Sequence, residues 1–203
     1  NGYAAPNPTV QTRVMAESLR RAGLQPQDIG WVEAAATGTA LGDAIEVAAL
    51  GSVFGVLAAQ GQRVPVGAVK SHLGHSEHGS AMAQIAKVLL QLQHRQLIPL
   101  LPIGKPNPQL RLDASPLVLQ RELTAWAAPI GADGLARPRR ALVNSFGAGG
   151  SCVSAVIEEY LPADAPADAN ADAAAGSQLF VFSARSGDRL RATRFVDDIH
   201  ARL

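Results

Sequence analysis

Lys70 and His75 stand five residues apart in the run Lys70-Ser71-His72-Leu73-Gly74-His75, a cation and a side chain whose proton moves near neutral pH. Together they could neutralise charge that develops on a carbonyl oxygen, which is what fixed donors do best in a site shielded from water. Two hydroxyls, Thr37 and Thr39, lie upstream in Glu33-Ala34-Ala35-Ala36-Thr37-Gly38-Thr39. A third segment, Asn144-Ser145-Phe146-Gly147-Ala148-Gly149-Gly150-Ser151, carries glycines that let main-chain N–H groups approach a ligand closely. On residue types alone other readings stay open: His75 as a loop histidine that only caps a helix, Lys70 as a solvated lysine at a strand end, and the glycine loop as a tight turn without a ligand. His72, His75 and His78 recur every three residues around Glu77, as a metal site could, but they span a glycine-containing loop with no pattern of supporting residues behind them, and no metal is expected. Cys152, the single cysteine, opens a predicted strand and reads as a small buried apolar residue.

These residues need elements that end beside them. Residues 8–22 are predicted helical, with Met15, Leu19 and Ala22 on one face, two i,i+4 ion pairs among Arg13, Glu17 and Arg21 on another, and Gly23 as the stop. Residues 29–34 read as a buried strand. A second helix opens at Gly42-Asp43, with Asp43 as its cap, Glu46 reaching back, and Ile45, Ala48, Ala49 and Val53 as the buried stripe. Residues 64–69 form the next strand, and a helix over 79–94 is predicted to bury Met82, Ile85, Leu89 and Leu92. Residues 99–116 are a proline-rich surface excursion, 117–119 a short strand, and 141–145 and 151–159 two strands flanking the glycine loop. Repeated strand-loop-helix units imply an α/β layered fold with each motif at the carboxyl end of a strand. Residues 162–177 have the Ala, Asp and Pro composition of a linker, and 178–203 read as the start of a small further unit, which leaves 1–161 as the main domain.

With 47% hydrophobic and 17% charged residues the chain has the composition of a globular domain. Its 18 basic and 17 acidic residues leave a net charge of +1 without a dense basic block, so a nucleic-acid partner is not expected. The sequence shows no apolar stretch that reads as a membrane span, and one cysteine cannot form an internal disulfide, so a reducing cytoplasm is expected. The chain begins with Asn1 rather than Met, which favours a processed, split or excised piece of something longer.

The three motifs, in this order and spacing, resemble the C-terminal half of a β-ketoacyl synthase, the thiolase-like condensing enzyme of fatty-acid and polyketide synthases. The likeness covers residues 1–161, and Gly2-Tyr3-Ala4-Ala5-Pro6-Asn7 together with 178–203 is similar to modular type I polyketide synthases in particular. The resemblance implies the C-terminal half of a layered αβαβα fold. It also implies a reaction in which a cysteine accepts an acyl chain from an acyl carrier protein and a malonyl thioester, once decarboxylated, attacks it. The second of the family's two histidines falls on His75, its lysine on Lys70, and the threonines that contact the phosphopantetheine arm on Thr37 and Thr39. The first histidine, in Glu-Ala-His-Gly-Thr-Gly-Thr, falls on Ala35, and the glycine after it on Ala36. In the loop Phe146-Gly147-Ala148-Gly149 the family usually has Phe where this chain has Ala148, so the resemblance implies an oxyanion N–H at Ala148 without an aromatic gate.

An alanine can neither donate a hydrogen bond nor relay a proton, so the resemblance implies a synthase that accepts and passes on acyl chains but elongates poorly. No cofactor of its own is implied, only the phosphopantetheine arm as substrate carrier. The acyl-accepting cysteine belongs to the N-terminal half of the family's domain, so the chain alone is expected to be inactive. The implied partners are that half, the acyl carrier protein, and a second copy in a homodimer of the complete domain. Two alternatives stay open: an elongation-competent synthase in which another group replaces the lost histidine, and a catalytically silent docking module.

Overall fold

The computed structural model of the chain describes residues 6–101 and 107–161. The linker and further unit predicted over 162–203 lie outside the described residues, as does the segment 1–5. Asn7 caps helix α1 (Pro8–Ala22), its side chain accepting the Val10 N–H at 3.2 Å, while Pro8 takes a first-turn position that has no use for a donor. Gly23 ends the helix at φ 68°, as predicted. Met15 and Leu19 are buried, joined by Gln11, whereas Ala22 at the helix end is exposed. Glu17 pairs with Arg20 and Arg21, both at 2.7 Å, and not with Arg13. A glutamate N-terminal to its arginine is the favoured orientation on a helix, and Arg13 offers the reverse.

Strand β1 (Trp31–Glu33) leads to helix α2 (Ala40–Ala59). Thr39, rather than the predicted Asp43, caps α2, its hydroxyl accepting the Gly42 N–H at 3.1 Å. The buried stripe also differs from the predicted one, because packing against α1 and the sheet selects it: Ala49, Leu50, Val53, Phe54 and Leu57 are inside with Glu46, Ile45 is half-buried and Ala48 is exposed. At 20 residues and a mean hydropathy of 1.6, α2 meets the length and composition of a membrane span, contrary to the sequence reading. Its inward face is committed to a protein core, where Phe54 and Leu57 pack with Met15 and Leu19 of α1.

Strand β2 (Val64–Gly67) is followed by the short helix α3 (Lys70–Leu73) and by helix α4 (Ser80–His94). Next come β3 (Gln96–Leu97), β4 (Leu117–Leu119), β5 (Thr124–Ala125), β6 (Arg140–Phe146) and β7 (Cys152–Glu158). Five of the strands form one sheet in the order β4-β2-β1-β6-β7; all are parallel except the edge strand β7, which runs antiparallel to β6. The pair β3 and β5 forms a small antiparallel ribbon that periodicity does not reveal, because two residues are too few to show alternation.

Alternation along the strands divides the core in two. Val32 and Leu142 face α1 and α2, whereas Trp31, Ala141 and Val143 face Val88 and Leu92 of α4. Helix α4 departs most from expectation. Besides Val88 and Leu92 it buries Ser80, Gln84, Lys87 and Gln91, and it leaves Met82 and Leu89 exposed and Ile85 half-buried. The inward stripe is polar because each of its groups serves a loop or strand end, as described next.

Candidate functional site

Strands β2, β1 and β6 are parallel neighbours, so their carboxyl ends open along one edge of the sheet, and the three motifs leave from that edge. A cavity of about 980 Å³ lies there, lined by Ala35, Thr37, Thr39, Lys70, His75, Phe146, Gly147 and Gly149. Ala148 begins the short 3-10 turn Ala148–Gly150 of the same loop. Residues from three distant parts of the sequence are thus brought to one space.

The turn after β1 is held by its backbone. Glu46, 4% exposed, accepts the N–H of Ala35 on Oε1 and that of Ala36 on Oε2, both at 2.8 Å. Lys70 Nζ donates to the Ala35 carbonyl at 2.6 Å, Gln84 Nε2 donates to the Ala34 carbonyl at 3.0 Å, and Asp43 Oδ1 accepts the Gly38 N–H at 3.1 Å. Asp43 and Glu46 therefore clamp the loop in front of α2 instead of capping the helix in the predicted way. Burial pushes the Glu46 carboxyl up to about 6 against the pull of the two amides. Burial also lowers Lys70 from the ordinary lysine range, opposed by the attraction of Glu46, Glu33 and Asp43. Asp43, half-buried, is raised by the same desolvation.

Ala36 stands at φ 39°, in the left-handed region that strains an L side chain by about 1–2 kcal/mol. Glycine there removes the strain and adds about 0.5–1 kcal/mol of unfolded-chain entropy. Ala36→Gly is therefore expected to raise the stability of the folded domain by about 0.5–1 kcal/mol. Denaturant unfolding checks this, and a loss of stability overturns it.

His75 is exposed at the cavity wall. Its Nδ1 accepts the Glu77 N–H at 2.9 Å, with Ser80 Oγ 3.5 Å away, so the proton of a neutral ring is carried on Nε2. Glu77 adopts φ 44° to aim that amide. The ring is therefore set to donate from Nε2. Lys70, read from the sequence as a strand-end residue, lies at the start of α3, and Val69 just before it is anchored by its N–H to Glu33 Oε1 at 2.6 Å.

Glu33 is fully buried and pairs with Lys87 Nζ at 2.9 Å; Trp31 Nε1 donates to the same carboxylate, and Lys87 lies 5.0 Å from the centroid of the Trp31 ring. The sequence reading passed over this network. A carboxylate inside a predicted buried strand was the available signal, because such a charge needs a partner. The structural roles of Glu46 and Gln84 were missed as well, the latter also donating to the Asn144 carbonyl at 2.8 Å.

Cys152 is half-buried rather than buried and lines the cavity, with its thiol raised by desolvation and so kept protonated. Among the described residues no three His, Cys, Asp or Glu side chains gather as a metal site.

Comparison with known proteins accounts for this arrangement. The family model described as the β-ketoacyl synthase C-terminal domain matches residues 1–103. The chain is 42% identical over 198 residues to polyketide synthase ThaG of Burkholderia thailandensis, covering 95% of this chain and 3% of that protein. It is 37% identical over 191 residues to polyketide synthase PksM of Bacillus subtilis, covering 94% of this chain and 4% of that one. Among solved structures, the oxazolomycin ketosynthase domain OzmH KS7 of Streptomyces albus superposes with a TM-score of 0.77 at 42% identity, over 95% of this chain and 32% of that one. The ketosynthase from module 6 of the bacillaene synthase of Bacillus subtilis gives 0.70 at 38% identity, over 80% of this chain and 28% of that one. The chain thus spans about a third of the solved ketosynthase chains and a few per cent of the synthases it matches. A parallel-rich α/β sheet, three loops gathered at its carboxyl edge and these likenesses agree: the chain belongs to the β-ketoacyl synthase family, as the C-terminal domain of a ketosynthase of modular polyketide synthases.

Proposed function

We propose that the chain supplies the C-terminal wall of a ketosynthase site that accepts acyl chains from an acyl carrier protein and passes them on, with decarboxylative condensation impaired. The carrying observation is that Ala35 lines the same cavity as Lys70 and His75, so a methyl group stands among groups suited to holding an oxyanion. Thr37 and Thr39, exposed at the cavity with their hydroxyls 3.2 Å apart, are in this reading the contacts of the phosphopantetheine arm, a role that their exposure supports.

Acyl transfer to a cysteine needs a thiolate and an oxyanion hole, and neither depends on the side chain at position 35. Loss of carbon dioxide from a malonyl thioester builds charge on the thioester oxygen and does depend on donors aimed there. The nucleophile is assigned to the N-terminal half of the domain, for which α4 offers a surface: Met82, Leu89 and Leu90 are 68%, 52% and 50% exposed on the outward side of that helix. The test is intact-mass measurement of the complete domain loaded from an acylated carrier, followed by malonyl-loaded carrier. Acyl-enzyme formation without a condensed product supports the reading; condensation at the rate of a histidine-containing synthase overturns it, and absence of any acyl-enzyme favours a silent docking module.

The loop position of Ala148 is proposed to widen the acyl entrance, because a phenyl gate is replaced by a methyl group. Ala148→Phe is expected to shift acylation at least about tenfold toward short or unbranched chains, the scale of one or two methylenes in an apolar pocket. Competition between acyl carriers of different chain length reads it, and an unchanged profile rejects the gate.

A further inference from the structure

We propose that Glu46 is the positioning residue that holds the turn over residues 35–39 in the shape that receives the carrier-bound thioester, an inference that rests on the acyl-transfer reading above. The turn is not a conformation these residues favour: Ala36 is left-handed at φ 39° and carries a side chain. It is held against that strain from α2, α3 and α4 at once, by Glu46 and Asp43, by Lys70 and by Gln84. Among these, Glu46 takes the two consecutive amides at the strained point with both carboxylate oxygens. The bonds are charge-assisted, and at 4% exposure of Glu46 water does not replace them. The residues on either side of Gly38 are the ones the clamp sets: Thr37 follows the Ala36 amide held by Glu46, Thr39 follows the Gly38 amide held by Asp43, and both line the cavity with their hydroxyls 3.2 Å apart.

A glutamine at position 46 cannot reproduce the clamp. Its amide offers one acceptor, and its NH2 group would oppose the second backbone N–H. Ala36 then relaxes toward negative φ and carries Thr37 with it. The prediction concerns affinity for the carrier-bound substrate, since the reacting cysteine is assigned to another part of the domain.

The experiment uses the complete ketosynthase domain and compares the parent with Glu46→Gln and with Glu46→Gln combined with Ala36→Gly. Acylation rates measured against the concentration of acyl carrier protein are expected to show KM raised about tenfold or more in Glu46→Gln, the scale of one lost bond to a charged group, with kcat within about twofold. A merely structural role would lower the amount of active enzyme and leave KM alone. Because glycine accepts the left-handed turn unaided, the double variant is expected to recover at least half of the loss on a logarithmic scale. Hydrogen exchange supplies a readout independent of activity: the Ala35 and Ala36 amides are expected to exchange at least about tenfold faster in Glu46→Gln while the amides of β6 keep their protection. Unchanged KM, or unchanged exchange at Ala35 and Ala36, overturns the proposal. If the parent itself forms no acyl-enzyme, the acyl-transfer reading fails, and exchange at these two amides alone decides the role of Glu46.

Discussion

Ala35→His in the complete ketosynthase raises decarboxylative condensation by about 10² to 10³, the effect of one donor aimed at a developing oxyanion, or roughly 3–4 kcal/mol. Acylation by the carrier-bound chain changes by less than about threefold, because that step draws on a thiolate and main-chain donors instead. The gain is expected because the backbone at position 35 is already held without help from its side chain. Its N–H is bound by Glu46 and its carbonyl by Lys70, which fixes where a β-carbon points. Ala35 is only 2% exposed, yet it lines the cavity that His75 lines, so an imidazole built there enters that space. His75 is oriented through Nδ1 to donate from Nε2, and Lys70 is kept close by Val69 and Glu33. Quenched measurement of condensed product against acyl-enzyme separates the two half-reactions. If the parent condenses malonyl units as fast as Ala35→His does, another group has taken over the role and the impaired reading is wrong.

The second large effect concerns stability. Lys87→Met is expected to destabilise the complete domain by about 3–5 kcal/mol, because it leaves the buried Glu33 carboxylate without its cation. Methionine keeps the length of the stem over the Trp31 ring, so the loss is chiefly electrostatic. Glu33→Gln combined with Lys87→Met removes both charges and is expected to recover more than half of the loss, since an amide can still accept the Val69 N–H. Denaturant unfolding of the three variants measures this. A cost below about 1 kcal/mol for Lys87→Met means that the pair is not a stabilising one in the assembled domain.

Legibility in the sequence followed physical locality. The bounds of helix α1 were readable because its signals are local, an apolar spacing closed by Gly23; the Asn7-Pro8 start, equally local, went unread. The strands β1, β2, β4, β6 and β7 were found because apolar runs punctuated by Gly and Pro announce themselves, although β1 and β2 proved shorter than predicted. Helix α4 was placed correctly within a residue, but its face was misread. Periodicity assigns the apolar side to the interior, and here Gln84, Lys87 and Gln91 are inside because strand ends and a buried carboxylate require their donors and acceptors. Asp43 and Glu46 were misread for a related reason. A capping box is one local use of acidic residues near a helix start, and the loop 35–38 offered a competing set of unpaired amides.

By itself the sequence determined the types of group available, Lys70, His75 and two threonines with an alanine at position 35, and the order in which strands and helices place them. Those facts are local, since side-chain chemistry and the helical or strand period are properties of a few neighbouring residues. Only the tertiary structure decided that β2, β1 and β6 lie side by side, that Glu46 and Lys70 grip the two faces of Ala35, and that Lys87 belongs to Glu33. The side-chain contacts among these join residues 11 to 54 positions apart, and the β1–β6 pairing joins residues farther apart still; desolvation sets the strength of the polar ones, so they hold only once the sheet and its helices exclude water.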